Sequence, residues 1–273
     1  FGNDNKTLFS IIRNFDLYNH LLSNLKKSKL VKFKKKITYK NLIKNNNNLI
    51  FNCDYNHSIT KKFFYRKIIK NYYSYAYVST LKHEKILNNN IASQIFTKNG
   101  PLAFLPISQS ETSIVYSIKN KEKVDFEKLI KKYNFKYKIL KINKVMRFEL
   151  KSSSLRSYYH KNIIAFGDLL HKIHPLAGQG FNMTIRDIKT IHKLIKFKKE
   201  HGLDLDTSIC SDFEKSARDK NYLFSNGIDF IYEFFNLENK LNNNILSKTV
   251  KIFGKNKNLN KFFTKIADNG LIF

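Results

Sequence analysis

Two short segments carry residue types whose spacing suits ligand chemistry. The run Ile163-Ile164-Ala165-Phe166 ends in Gly167-Asp168. An apolar strand of this kind delivers a glycine and a carboxylate to the carboxyl edge of a sheet, where open α/β folds bind their ligands. Gly167 lets a ligand approach closely. Asp168 can accept hydrogen bonds from the hydroxyls of a ribose or ribitol chain. After the nine residues 169–177 comes Gly178-Gln179-Gly180 at the start of a helical pattern. Backbone N–H groups at such a start, with the helix dipole behind them, favour an electron-rich or anionic atom. A second apolar run, Leu49–Cys53, ends in Asp54 in the same manner.

The elements that must position these residues follow from periodicity. Phe15, Tyr18, Leu21, Leu22 and Leu25 recur at helical spacing, so Phe15–Lys27 reads as an amphipathic helix with Asn14 as its N-cap. Leu8–Arg13 reads as a short strand and Leu30–Tyr39 as a basic edge strand. From Tyr72 to Ile118 the period is two, with strands over Tyr72–Leu81, Ile91–Thr97, Leu102–Ser108 and Thr112–Ile118, and Asn99-Gly100-Pro101 as a turn. Phe126–Lys132 is helical, and Phe148–Lys151 returns to the sheet. Helices then run from Met183 to about Lys198 and through Phe213–Phe235, with a mainly helical tail to Phe273. The expected architecture is α/β, interrupted by an antiparallel β-sheet domain and closed by a helical region. The boundaries are residues 1–66, 67–155, 156–200 and 201–273.

Composition narrows the classes. The chain has 273 residues, 42% of them hydrophobic, which is enough for a packed core and excludes a disordered chain. No apolar run reaches the roughly 20 residues that span a bilayer, and no signal-peptide pattern opens the chain. Cys53 and Cys210 cannot build a disulfide framework or a zinc site alone, so a reducing, cytoplasmic compartment is expected and no metal. Cys53 is expected to be a buried small hydrophobe. The net charge is +29, from 50 Lys and Arg against 21 Asp and Glu. These Lys are dispersed and accompany heavy use of Asn, Ile, Phe and Tyr, a bias that A/T-rich codons produce without a nucleic-acid ligand. A basic surface does attract anionic lipid, by about 1 kcal/mol per nearby Lys or Arg. A peripheral seat at the inner face of a membrane, alone or within a biosynthetic complex, is compatible with that.

The stretch from Ile163 to Asn182 resembles the second FAD-binding motif of the class A flavoprotein aromatic hydroxylases, and within them the ubiquinone-biosynthesis hydroxylases. The matching positions are Gly167, Asp168, His171, His174, Pro175, Ala177 through Gly180, Asn182, Arg186 and Asp187. Gly100-Pro101-Leu102-Ala103-Phe104-Leu105-Pro106 is similar to a segment of the family's substrate-domain sheet. Leu49–Ser58 is similar to its middle Asp-Gly motif, and Asp212–Phe224 to its C-terminal region. Tyr55 replaces a glycine of the family, Lys61 an arginine, Leu169-Leu170 small residues and Thr184 a glycine. The family's opening strand-turn-helix unit with Gly-x-Gly-x-x-Gly is not found in the sequence, which starts at Phe1. The chain is therefore read as a fragment or processed product that alone holds FAD poorly or not at all.

The resemblance implies roles. Asp168 serves the ribityl or pyrophosphate side of FAD, with Gly167 beside it. Pro175 shapes the cavity against the isoalloxazine face, with Ala177 in the same loop. Gly178, Gln179 and Gly180 present N–H groups toward flavin N1 and O2. Asn182 is either a flavin contact or a first-turn cap. Asp54 stands on the cofactor side, with a Cβ at Tyr55 expected to crowd a close backbone approach. No catalytic acid or base is assigned, His171 and His174 included. The implied activity is an FAD-dependent, NAD(P)H-using monooxygenase that hydroxylates a prenylated, lipophilic phenol in ubiquinone biosynthesis. Two alternatives stay open: a related flavoprotein oxidoreductase on another substrate, and a truncated or degenerate flavin fold acting as a binding or assembly subunit.

Overall fold

The computed structural model describes residues 10–34, 38–44, 49–97, 99–119, 124–173 and 179–241. In chain order its first elements are α1 (Asn14–Lys27), α2 (Tyr39–Lys44), β1 (Ile50–Asn52), α3 (Ser58–Phe63) and β2 (Lys67–His83). Next come β3 (Ser93–Thr97), β4 (Gly100–Pro106), β5 (Glu111–Lys119), α4 (Phe126–Tyr133), β6 (Ile139–Ile142) and β7 (Met146–Leu155). The chain continues with β8 (Tyr159–His160), β9 (Ile163–Ala165), a 3-10 turn over Gly167–Leu169, β10 (His171–Lys172), α5 (Gln179–Glu200) and α6 (Ser208–Leu241). It divides into two compact units, residues 36–71 with 151–273 and residues 2–35 with 72–150.

The first unit holds the mixed α/β part. Its sheet has the order β1-β9-β8, with β1 and β9 parallel and β8 and β9 an antiparallel hairpin. Every residue of β9 is buried, as expected of a parallel strand covered on both faces. The hairpin turns over two residues, and Lys161 takes φ +54° there. Ile164 and Phe166 pack with Ile59 of α3, Ile191 of α5 and Phe213 of α6 in one core. The Phe166 and Phe213 rings stack with centroids 5.7 Å apart.

The second unit is the antiparallel sheet. β2 and β5 pair over a long register from Ser74↔Lys119 to Lys82↔Glu111, β4 lies between β5 and β3, and β6 pairs with the end of β2. The period of two works as it should. Tyr77, Leu81, Leu102, Phe104, Ile114 and Tyr116 point to one face and form a core closed by Phe126 and Ile130 of α4. Asp125 starts α4 by accepting from the Lys128 N–H at 3.0 Å. Three of the tyrosines of β2, Tyr73, Tyr75 and Tyr77, diverge. Tyr77 is in the core, Tyr75 packs against it beneath the Arg147 guanidinium at 3.8 Å, and Tyr73 leaves the alternation at φ +49° and faces solvent.

Several local expectations are corrected. Residues 10–13 form no strand, and the part of Leu8–Arg13 before residue 10 lies outside the described residues. Arg13, not Asn14, is the N-cap of α1, and no side chain caps that helix. The helix itself forms over the expected residues, but none of them is buried. The proposed strand Leu30–Tyr39 is irregular through residue 34 and helical from Tyr39. Lys32 and Lys34 alternate with Val31 and Phe33 at a strand's period, but residues 30–34 pair with no strand among the described residues. Gly100 and Pro101 are strand residues paired with Thr97 and Phe96, so the turn falls earlier. Cys53 is exposed, because the apolar run stops pairing at Asn52. The tail beyond residue 241 lies outside the described residues.

Candidate functional site

The site is assembled by two parallel strands. Asn52 of β1 and Ala165 of β9 are register partners, and the Phe166 N–H donates to the Asn52 carbonyl at 2.9 Å. The chains leaving these strands therefore emerge from one carboxyl edge, Asp54 from the first and Gly167-Asp168 from the second. This is the location where ligands bind in parallel α/β sheets.

Gly167 takes φ +64°, a left-handed conformation that disfavours side chains, and no atom lies within 4 Å of where a Cβ would sit. The space beside it is open. Asp168 follows in the 3-10 turn, exposed, and its carboxylate makes no hydrogen bond or ion pair among the described residues. Leu169 and Leu170 point the other way into the core and anchor the turn. Two bulky residues at positions that are small in the related motif thus serve packing beneath the edge.

The loop after β1 is held by local hydrogen bonds. Asn52 Nδ2 donates to Thr60 Oγ1 at 2.8 Å, and Thr60 Oγ1 donates to the Asp54 carbonyl at 2.6 Å. The Asp54 carboxylate accepts from the Asn56 N–H at 2.8 Å and stays exposed. Tyr55 does not strain this turn. Among the described non-glycine residues only Tyr73 and Lys161 have positive φ, so the backbone at Tyr55 needs no glycine. Its ring is half exposed and carries the Lys67 ammonium 3.6 Å from the centroid.

α5 begins at Gln179, with Gln179 and Gly180 half-buried and no acidic residue in the first turn to neutralise the helix's positive end. Asn182 is exposed and donates to Gln179 Oε1 at 3.3 Å, a contact within the first turn. Pro175, Ala177 and Gly178, together with His174, lie outside the described residues.

Behind the edge lies a buried polar network that no sequence argument had joined. His171 Nε2 and Asp187 Oδ2 are 2.5 Å apart, with 3% and 2% of their side chains exposed. Asp187 Oδ1 accepts from Asn221 Nδ2 at 3.0 Å. Burial pushes the Tyr158 hydroxyl up to about 12, against a hydrogen bond from Asn221 that pulls it down, with Asp187 and Glu214 adding to the rise. Among the described residues, the buried side-chain atoms lacking a hydrogen-bond partner are His171 Nδ1 and both terminal nitrogens of Arg186. Arg186 rests its guanidinium on the Phe224 ring at 4.0 Å, and burial lowers its pKa. One signal for Asp187 was present in the sequence. It stands between Met183 and Ile191 at intervals of four, a carboxylate on the buried stripe of α5.

No protein-family model matches the chain. It is similar to the mitochondrial ubiquinone biosynthesis monooxygenase COQ6 of Schizosaccharomyces pombe, 22% identical over 275 residues, which cover 82% of this chain and 57% of that protein. The 3-demethoxyubiquinol 3-hydroxylase of Escherichia coli is 25% identical over 153 residues, covering 52% of this chain and 39% of its own. The chain thus spans little more than half of the first relative and less of the second. Among solved structures, the flavin-dependent brominase Bmp2 superposes with a TM-score of 0.54 at 12% identity, over 81% of this chain and 57% of that one. The chain is thus similar in sequence to ubiquinone-biosynthesis hydroxylases over part of their length and has the mixed α/β fold of the flavin-dependent brominase Bmp2, with an antiparallel sheet and C-terminal helices.

Proposed function

We propose that the protein is an FAD-dependent, NAD(P)H-using monooxygenase that hydroxylates a prenylated phenolic ring in ubiquinone biosynthesis. One observation carries the reading. Two adjacent parallel strands bring Asp54 and Asp168 to the same carboxyl edge, beside a left-handed Gly167 with open space around it. The relatives' names supply the substrate class, since both act in ubiquinone biosynthesis or on a ubiquinol precursor.

The residues present suit a flavin. The uncommitted Asp168 carboxylate is an acceptor for the hydroxyls of a ribityl chain. The N-terminal turn of α5, uncompensated by any acidic side chain, suits the electron-rich pyrimidine side of an isoalloxazine. Gly167 allows the backbone to come close. Pro175, Ala177 and Gly178 join them on the resemblance. When bound, the flavin supplies electron transfer from the nicotinamide cofactor and activation of dioxygen. The protein's own part is to hold the ring, keep water from it and present the phenol. Asp54, tied into its turn by Asn56, contributes a carboxylate on the cofactor side.

Location belongs to the same proposal. No described helix is long and apolar enough to cross a membrane. A net charge of +29 gives attraction to anionic headgroups, which suits an enzyme whose substrate is a lipid. The test is purification of the protein from its complete reading frame, followed by a flavin spectrum and an NAD(P)H oxidation assay with a short-chain prenylated phenol. Flavin with substrate-stimulated NAD(P)H oxidation and hydroxylated product supports the reading. Flavin without hydroxylation assigns a related oxidoreductase, and no flavin assigns a binding or assembly role.

A further inference from the structure

We propose that the buried His171–Asp187 pair, anchored by Asn221, is the positioning device that holds the N-terminal part of α5 against the Gly167–Asp168 edge. His171 is fixed to that edge through its backbone. It pairs with Ser154 of β7, and the preceding Leu170 N–H donates to the Gly167 carbonyl at 2.9 Å while its own carbonyl accepts from Leu155 at 3.0 Å. Its side chain then crosses to α5. Asp187 lies eight residues into that helix, about 12 Å along its axis from Gln179. The second carboxylate oxygen is held by Asn221 of α6. One imidazole and one carboxylate thus join the sheet edge, α5 and α6 at a single point.

Core stability alone is a poor reason for such a pair. Sealing a carboxylate and an imidazole from water carries a desolvation cost of several kcal/mol, and well-packed apolar residues commonly stabilise as well or better. Directional hydrogen bonds fix the distance and rotation between elements, which apolar contacts leave looser. The two halves of the proposed cofactor cradle, Gly167-Asp168 and Gln179-Gly180, need that fixed relation. None of the clamp residues has to touch the cofactor. They act through α5 and are positioning residues.

The functional consequence rests on the flavin reading, while the mechanical one does not. The test uses the full-length protein and three variants: His171→Asn, Asp187→Asn and the double replacement His171→Leu with Asp187→Leu. Amide exchange at Met183–Arg186 is measured against the amides of residues 72–83 and of β5 in the other unit as internal reference. FAD affinity and melting temperature are read on the same samples. Faster exchange at Met183–Arg186, with the reference amides unchanged, is expected in all three. FAD affinity falls about ten- to a hundred-fold, the size of effect that loss of an orienting outer partner has at metal sites. The double variant recovers the melting temperature but not the affinity. Affinity that follows the melting temperature through the series, or exchange that rises uniformly, overturns the proposal. If the wild-type protein takes up no FAD, the flavin reading fails, and selective exchange at Met183–Arg186 still decides the clamp.

Discussion

Asn52 and Ala165 stand opposite one another in neighbouring parallel strands, so Asp54 and Asp168 leave the sheet from the same edge although 114 positions separate them in the chain (168 − 54). The intervening chain makes most of the antiparallel sheet, and the long excursion returns in register to deliver the second carboxylate.

Asp168 is exposed and bonded to nothing among the described residues, so its removal should leave the fold intact. The variant Asp168→Ala is expected to melt within about 0.5 kcal/mol of wild type, as surface substitutions do. Bound flavin should drop sharply. Equal flavin retention, measured by absorbance after gel filtration, would remove Asp168 from the site.

Gly100 gives the opposite case. It sits at φ +145°, and a Cβ there would meet the Ser117 carbonyl oxygen at 1.9 Å, a backbone atom of a central strand. Gly100→Ala must distort the β4–β5 ladder. A loss of about 2–4 kcal/mol is expected, combining backbone strain with overpacking. Gly167→Ala, with open space around it, should lose only about 1–2 kcal/mol from its left-handed φ. Urea unfolding of the two variants checks the order.

The cysteines provide a footprint of the edge. Cys53 is exposed next to Asp54, whereas Cys210 is buried in the core of the α/β unit, where burial pushes its thiol up to about 11. Partial burial raises the Cys53 thiol as well. Alkylation near neutral pH should label Cys53 slowly and Cys210 only after unfolding. Flavin should slow the labelling of Cys53. Mass spectrometry of the labelled peptides reads both, and Cys210 labelled first would contradict the packing of α6.

Tyr158 sets an alkaline limit. Its folded pKa is raised to about 12 from an ordinary value of 10. A raised pKa means that its contribution is full below pH 10 and is lost as the pH climbs toward 12. Tyr158→Phe should start lower, by about 1 kcal/mol for the lost Asn221 partner, but decline less over that window. Parallel declines in chemical unfolding would contradict the assignment.

Much of the architecture was legible because the pattern matched the burial. β2, β4 and β5 bury alternate residues, so their period of two was visible in the sequence. β1 and β9 announced themselves as apolar runs ending in aspartates. Boundaries were less legible. α5 starts at Gln179, four residues before its first buried side chain Met183, because its first turn is half-buried or exposed and carries no apolar residue into the core. β6 was missed because Lys141 interrupts a four-residue strand. The His171–Asp187 contact was invisible for a different reason. Partners sixteen residues apart across a loop obey no helical or strand period, and only the fold brings them together.

The most direct measurement is the absorption spectrum of the protein purified from its complete reading frame, taken beside Asp168→Ala of equal melting temperature. Stoichiometric flavin in the wild type and loss of most of it in the variant is the result expected if the shared carboxyl edge of β1 and β9 is the cofactor's seat. Wild-type protein that is folded yet free of flavin, and takes up none when FAD is added, would contradict it.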